Sequence, residues 1–178
     1  MPSLEKLRYP IGKFEWPKII DPTDIHQCIN RIETLPLRFR KAVETLTEEQ
    51  LDVAYRPEGW TLRQVVHHVP DSHLNSYIRF KWTLTENKPV IKAYDEVAWA
   101  ELPDYKTAPI ATSLDFLELL HSKWVYLLRA LTDENLEKTF IHPESGHEIT
   151  LKSNLFLYEW HGDHHLGHIE QTKTLNGW

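Results

Sequence analysis

Apolar residues recur at steps of three and four along four long segments of the chain, the spacing that places side chains on one face of a helix. The first segment begins at Asp21 or Thr23, and its apolar positions are Ile25, Ile29, Ile32, Leu35, Phe39, Val43 and Leu46. We predict one long helix there, which Pro36 kinks or divides because its ring nitrogen cannot donate a hydrogen bond. Just beyond it, Thr47 and Gln50 have capping-box spacing, which predicts a short helical turn.

A second capping-box pair, Thr61 and Gln64, follows the turn-like residues 57–60 and predicts the start of the second long helix. The apolar positions of this helix are Leu62, Val65, Val66, Val69, Leu74, Tyr77, Ile78 and Trp82. Pro70 lies inside the run, so we expect a local bend in the helix at that point.

The second half of the chain carries two more helical patterns. One runs from about residue 113 to 131, with its buried side formed by Leu117, Leu120, Trp124, Leu127, Leu128 and Leu131. The other runs from about 153 to 175 and stops at Asn176 and Gly177, residues that are typical of a helix end.

The segments between these helices are less regular. Residues 1–22 hold four prolines and predict an extended lead-in that lies over the body of the protein. Residues 86–112 contain three prolines without sustained periodicity, which predicts a long connection with one short helix near 95–102. Residues 140–151 resemble a short hairpin, with Ser145 and Gly146 in the middle.

Four long helices with almost no strand signal predict an all-α four-helix bundle with long connecting loops. No internal repeat, low-complexity tract or linker interrupts the pattern, so we expect a single domain over residues 1–178.

Composition narrows the class of protein further. The formal net charge is −6, which argues against a nucleic-acid binder because binding to phosphates relies on Lys and Arg. No run approaches the ~20 apolar residues of a membrane span, and the chain does not start with a secretory signal pattern. Cys28 is the only cysteine, which excludes an intrachain disulfide and leaves a small buried apolar group. We therefore expect a cytoplasmic protein.

Histidines supply the candidate chemistry, since the chain has 11 of them and they cluster. His161 and His165 are four residues apart in the last helix, so both imidazoles lie on one face and can reach one metal ion. His164 and His168 form a second pair with the same spacing, rotated around the helix axis. The spacing alone does not choose between the two pairs.

A metal site needs at least a third ligand, and facing helices of a bundle often provide one. The second helix carries His67 and His68, whose side chains point about 100° apart, so at most one faces the bundle axis. Asp71, three residues after His68, is a candidate for orienting an imidazole through its distal nitrogen. The plainer alternative is that these histidines are solvated or hydrogen-bonded in the core.

With these residues in view, the sequence resembles the DinB/YfiT-like superfamily. The likeness extends over nearly the whole chain and includes the segments Tyr9 to Gly12, Gly59 to His68, Asp71 to Lys81, Tyr94 to Glu96 with Trp99, and Trp160 to His168. It is closest to the YfiT group, which is described as metal-dependent hydrolases related to bacillithiol S-transferases.

The resemblance implies a four-helix bundle, usually a homodimer, with one divalent metal ion bound by three histidines. The family pattern maps these ligands onto His68, His161 and His165. Imidazole ligands suit zinc, nickel, iron and cobalt comparably, and we expect zinc or nickel. Pro70 is a departure from the pattern, at a position where a small helix-forming residue is expected.

Three neutral imidazoles leave a coordination position open, as in catalytic zinc sites, so we expect an enzyme acting on a small molecule. The first hypothesis is a hydrolase that uses activated water. The second is a transferase that conjugates a low-molecular-weight, bacillithiol-like thiol to electrophiles, and the third is a non-catalytic metal-binding stress protein. Candidates for the pocket wall are Asn75, Arg79, Tyr94 and Asp95.

Overall fold

The computed structural model describes residues 2–16 and 20–178, so residues 1 and 17–19 of the predicted lead-in lie outside it. In chain order the elements are α1 (Leu4–Arg8), α2 (Pro22–Val43), α3 (Glu48–Leu51), α4 (Leu62–Thr85), α5 (Glu96–Ala100), α6 (Pro103–Thr107), α7 (Ile110–Arg129), α8 (Asp133–Leu136), β1 (Thr139–Ile141), β2 (Glu148–Thr150) and α9 (Leu151–Asn176). Helix α1 lies in the lead-in that we expected to be extended, and the Ser3 hydroxyl caps it by accepting a hydrogen bond from the Lys6 amide.

The four long helices form the predicted four-helix bundle. Helices α2 and α4 each pack against both α7 and α9, so the order around the bundle is α2, α7, α4, α9. The capping boxes at Thr47 and Thr61 both form as predicted and start α3 and α4. Helix α9 ends as predicted at Asn176 and is capped by Gly177, whose φ of +72° is the left-handed conformation that glycine adopts readily. Among the described residues, none of the helices is both long enough and apolar enough to cross a membrane.

Both helix-interior prolines lie within uninterrupted helices, so Pro36 does not divide α2, one of the two outcomes that we predicted for it. A kink at Pro36 and a bend at Pro70 stay predictions. A proline removes only one backbone donor, and tertiary packing compensates for the loss. On either side of Pro36, Leu35 and Phe39 are buried in the bundle core, which holds α2 together across the proline. Cys28 is also buried in the core, as predicted; it forms no disulfide, and its thiol donates to the Leu155 carbonyl oxygen at 3.6 Å.

The connection between α4 and α7 contains two short helices where we predicted one. Helix α5 begins where the Asp95 carboxylate accepts a hydrogen bond from the Ala98 amide. Helix α6 begins at Pro103, which suits the first turn of a helix, and packs on α4 with Tyr105 fully buried. Helix α6 is held by the burial of Tyr105 against α4, a tertiary contact that the local sequence pattern does not show.

The predicted hairpin is present as the antiparallel pair β1 and β2, with Phe140 opposite Ile149. Phe140 is buried in the core, and a single bridge joins Ile141 to Val90 in the connection after α4. The loop of the hairpin is thereby held beside α4 and α9, where the candidate site lies.

The apolar core consists of two clusters stacked along the bundle, and each draws residues from all four long helices. One cluster contains Ile32, Phe80, Trp124 and Leu155, and the other contains Leu35, Val69, Leu117 and Leu166. At the level where the clusters meet, the interior of the bundle carries the histidines of α4, α7 and α9. This polar layer is where the candidate metal centre forms.

Candidate metal centre

The structure brings His68, His161 and His165 together, although His68 is about ninety residues from the other two. One ligand nitrogen from each ring lies within 4.8 Å of the others, and the Nε2 atoms of His68 and His161 are 3.2 Å apart. His68 and His165 are buried, and His161 is partly buried. Three imidazoles from two facing helices therefore converge on one point.

Local sequence features fix the positions of these rings. The Thr61 cap sets the start of α4, so that His68 lies on the second turn among buried valines. The Trp60 ring packs against His68, with the ring centroids 4.7 Å apart. Next to His161, Gly162 lets α9 approach α2 closely, because a β-carbon there would overlap the Leu35 side chain.

The neighbouring histidines have other partners. The Nε2 atom of His67 is 3.2 Å from the Ala108 carbonyl oxygen, and its Nδ1 is 2.7 Å from the Ser113 hydroxyl. His164 stacks on Trp160, and His168 donates from Nε2 to the Arg8 carbonyl oxygen. Of His67 and His68, the structure therefore places His68 in the convergent group. On α9 it places His161 and His165 there, and not His164 and His168, as the family resemblance implies.

Behind His161, two further histidines form a hydrogen-bonded chain that sequence reasoning missed. His161 Nδ1 is 3.2 Å from His73 Nε2, and His73 Nδ1 is 2.9 Å from His121 Nε2. His121 Nδ1 is 2.6 Å from the carbonyl oxygen of Ile32. That carbonyl lacks its usual helical donor because Pro36, four residues later, has no N–H.

This chain determines which nitrogen of each ring carries the proton. A carbonyl only accepts, so His121 Nδ1 must donate to Ile32. Burial lowers the pKa of His121 to about 4 and the pKa of His73 and His161 well below the ordinary value, so all three rings are neutral at pH 7. A neutral ring has one N–H, and therefore His73 donates to His121 and His161 donates from Nδ1 to His73. His161 Nε2 is left with its lone pair, which faces His68 and lies 3.4 Å from the Ser72 hydroxyl oxygen.

The donor set fits a divalent transition metal ion. Burial lowers the pKa of His68 to about 3 and that of His165 well below its ordinary value, so both rings are neutral ligands. The Nδ1 atoms of His68 and His165 are buried without a hydrogen-bond partner among the described residues. An all-imidazole set without a carboxylate suits zinc or nickel better than magnesium or calcium.

The three histidines line a cavity of about 350 Å³ that opens to solvent. Two of the expected pocket residues, Arg79 and Tyr94, also line it. Burial raises the pKa of the Tyr94 phenol, which is therefore a protonated hydrogen-bond donor at pH 7. The cavity wall also includes Tyr158 from α9 and Glu144 from the hairpin loop, which the sequence pattern did not indicate.

The other expected polar residues lie elsewhere. The Asn75 side chain donates to the Asp71 carbonyl oxygen and does not line the cavity, and Asp95 is the cap of α5. The Asp71 carboxylate accepts a hydrogen bond from the Tyr105 hydroxyl at 2.8 Å and so ties α4 to α6. Among the described residues, Asp71 therefore forms no hydrogen bond with His68. The contact that orients a ligand imidazole is instead the hydrogen bond between His73 and His161.

Known proteins resemble this chain along nearly its whole length. A Bacillus cereus protein provisionally named a metal-dependent hydrolase is 52% identical over 175 residues, covering 98% of this chain and all of that protein. YfiT from Bacillus subtilis, which has a similar provisional name, is 48% identical over 172 residues, or 97% of each chain. The solved structure of YfiT, described as a probable metal-dependent hydrolase with an unusual four-helix bundle topology, matches with a TM-score of 0.95 at 47% identity, covering 97% of this chain and 99% of that chain.

The sequence model of the DinB superfamily matches residues 31–169, which include the whole of α4 and α7, parts of α2 and α9, and the three convergent histidines. Together with the identity to the Bacillus proteins, this match establishes the family. The chain belongs to the DinB superfamily.

Proposed function

We propose that this protein is a metal-dependent hydrolase of small molecules, with the metal ion held by His68, His161 and His165. The observation that carries the proposal is the convergence of three neutral ring nitrogens at the wall of an open cavity. The provisional names of the Bacillus relatives support the same reaction class.

When bound, a divalent ion supplies Lewis-acid chemistry that activates water and polarises a carbonyl or phosphoryl group. The chain itself contributes fixed ligands, because the His73–His121 pair holds the His161 ring and its tautomer. Tyr94 offers a protonated hydroxyl to a substrate oxygen, and Arg79 places a positive charge in the same cavity.

Zinc or nickel is the ion that we propose, since imidazole ligands suit both. We also propose that the protein is a cytoplasmic homodimer. Light scattering on the purified protein tests the oligomeric state. The competing reaction class is transfer of a low-molecular-weight thiol, for which the same open site would serve.

The proposal is tested with purified protein loaded with zinc or nickel. We expect about one metal ion per chain by elemental analysis and turnover of aryl esters or amides, and both should be lost in His161→Ala. His164→Ala is the matched control for metal content alone, because His164 lies on the same helix outside the convergent group but also lines the cavity. His67→Ala is the control for turnover, because His67 lies outside both the convergent group and the cavity. Full metal content in His161→Ala would refute the ligand assignment. Conjugation of a thiol to monochlorobimane without hydrolysis would place the protein among transferases, and metal binding without either activity would make it a binding protein.

A further inference from the structure

Arg79 is a buried arginine whose positive charge has no paired carboxylate among the described residues. Its side chain, on α4, is 8% exposed, and Nη1 donates to the Tyr158 hydroxyl at 3.3 Å. Its Nε is buried without a hydrogen-bond partner, and no carboxylate lies within ion-pair distance of Arg79 in the described part of the chain. Among the described residues, the one hydrogen-bond partner of the guanidinium is therefore a neutral hydroxyl.

Arg63 is a buried arginine with a structural role, and unlike Arg79 it is paired with two carboxylates. Arg63 is 5% exposed, and its Nε and Nη2 atoms bind Asp52 at 2.8 Å and Glu48 at 2.6 Å. Burying a charge without such partners is costly, so an unpaired guanidinium is a feature that needs a reason. A negatively charged ligand is the partner that would remove the cost.

Arg79 faces the cavity of the metal centre. It lines the same wall as the three histidines, and its partner Tyr158 has its ring centroid 5.5 Å from that of His161. The two carboxylates on the cavity wall, Glu96 and Glu144, are exposed and form no ion pair with Arg79.

We propose that Arg79 forms an anion subsite, so that the substrate carries a carboxylate or phosphate group that binds the guanidinium while its reacting bond lies at the three histidines. The planar fork of N–H donors on arginine matches both kinds of oxyanion. This inference rests on the proposed function for the position of the reacting bond, whereas the binding of the anion rests on Arg79 alone.

The first test compares matched ligands on the metal-loaded protein by calorimetry. The ligands are the monohydroxamates of malonic, succinic and glutaric acid, each beside the neutral amide of the same length. We expect at least one acid to bind tenfold or more tightly than its amide. The preference should vanish in Arg79→Gln, persist in part in Arg79→Lys, and remain whole in Arg40→Gln, which changes an arginine paired with Asp115 on the surface.

The second test uses metal-free protein, with the Arg79 Nε–H signal followed by NMR. Titration with acetate and with methylphosphonate should shift this signal, and the tighter of the two identifies the kind of anion. Retained metal content and an unchanged melting temperature in Arg79→Lys establish that any loss of binding is local.

The outcomes separate this inference from the proposed function. A metal-loaded protein that binds acid and amide equally, with an Arg79 signal indifferent to both anions, overturns the subsite and leaves the hydrolase proposal standing. An anion-dependent Arg79 signal in a protein that binds no metal supports the subsite and overturns the hydrolase.

Discussion

The hydrogen-bonded chain behind His161 predicts that a residue outside the ligand set controls metal affinity. His121→Leu removes the acceptor for His73 Nδ1 and the donor to the Ile32 carbonyl, while it keeps a side chain of similar size in the core. His73 then either buries an unpaired N–H or moves its proton to Nε2. In the second case two N–H groups would face each other across 3.2 Å, and the proton of His161 would have to move to Nε2, which faces His68.

The size of the effect follows from the bonds involved. A buried donor without a partner costs about 1–3 kcal/mol. Changes to the groups that orient metal ligands lower affinity by roughly 10–100-fold, which corresponds to about 1.4–2.7 kcal/mol. We therefore expect His121→Leu to weaken zinc binding by roughly 10–100-fold with His68, His161 and His165 all intact.

His121→Gln is the rescue variant, because its amide can donate to the Ile32 carbonyl and accept from His73. Zinc affinity is measured by competition with a chelator, and the His161 tautomer by ¹⁵N chemical shifts. His67→Leu serves as the control for burial alone, since His67 is also buried and doubly hydrogen-bonded but contacts none of the convergent rings. It should lower the free energy of unfolding and leave zinc affinity unchanged.

Two results would refute this reasoning. If His121→Leu bound zinc as tightly as the wild type, the chain would have no influence on the centre. If His121→Gln and His121→Leu weakened binding equally, the loss would reflect packing and not the direction of the hydrogen bonds.

Further expectations concern the ligands, pH and the bundle. His68→Ala and His165→Ala should each lose the metal ion while circular dichroism shows helicity close to that of the wild type. The pKa of His121 is lowered to about 4 in the folded protein, so the unfolded chain binds more protons below pH ~6.5. The free energy of unfolding of metal-free protein should therefore fall as the pH is lowered from 6.5 to 4, by about 3 kcal/mol for His121 alone. Urea unfolding at several pH values measures this change. Asp163→Asn should lower the free energy of unfolding by about 1–2 kcal/mol without changing metal content, because its carboxylate binds Arg31 and Arg38 across the interface of α2 and α9.

The fold was predictable because its signals are local. The capping boxes at Thr47 and Thr61, the turn residues at the end of α9 and the spacing of apolar residues each depend on a few neighbouring positions. Helix α6 was missed because what holds it is tertiary, namely the burial of Tyr105 against α4 and its hydrogen bond to Asp71.

The candidate site was predictable only in part. Spacing showed that two histidines of α9 share a face, but α9 is buried on several sides, so the pattern did not show whether His161 or His164 faces α4. The family resemblance made that choice, and the geometry agrees with it. The burial of His121 could have been predicted, since it lies between the apolar Leu120 and Trp124. The roles of His73 and His121 could not, because they depend on contacts between residues 48 and 88 positions apart.

Pro36 illustrates why a local interpretation of the sequence was incomplete. From the sequence it predicted a kink or a break in α2, but in the folded protein its main consequence is that the Ile32 carbonyl has no helical donor and accepts from His121. From that carbonyl the hydrogen bonds run through His121 and His73 to His161, so α2, α7, α4 and α9 each contribute one group. The lone pair that His161 directs at His68 is therefore fixed only when all four helices are in place. Metal binding and folding of the bundle should consequently stabilise each other, because an ion that binds only the assembled site favours the folded state in proportion to its affinity.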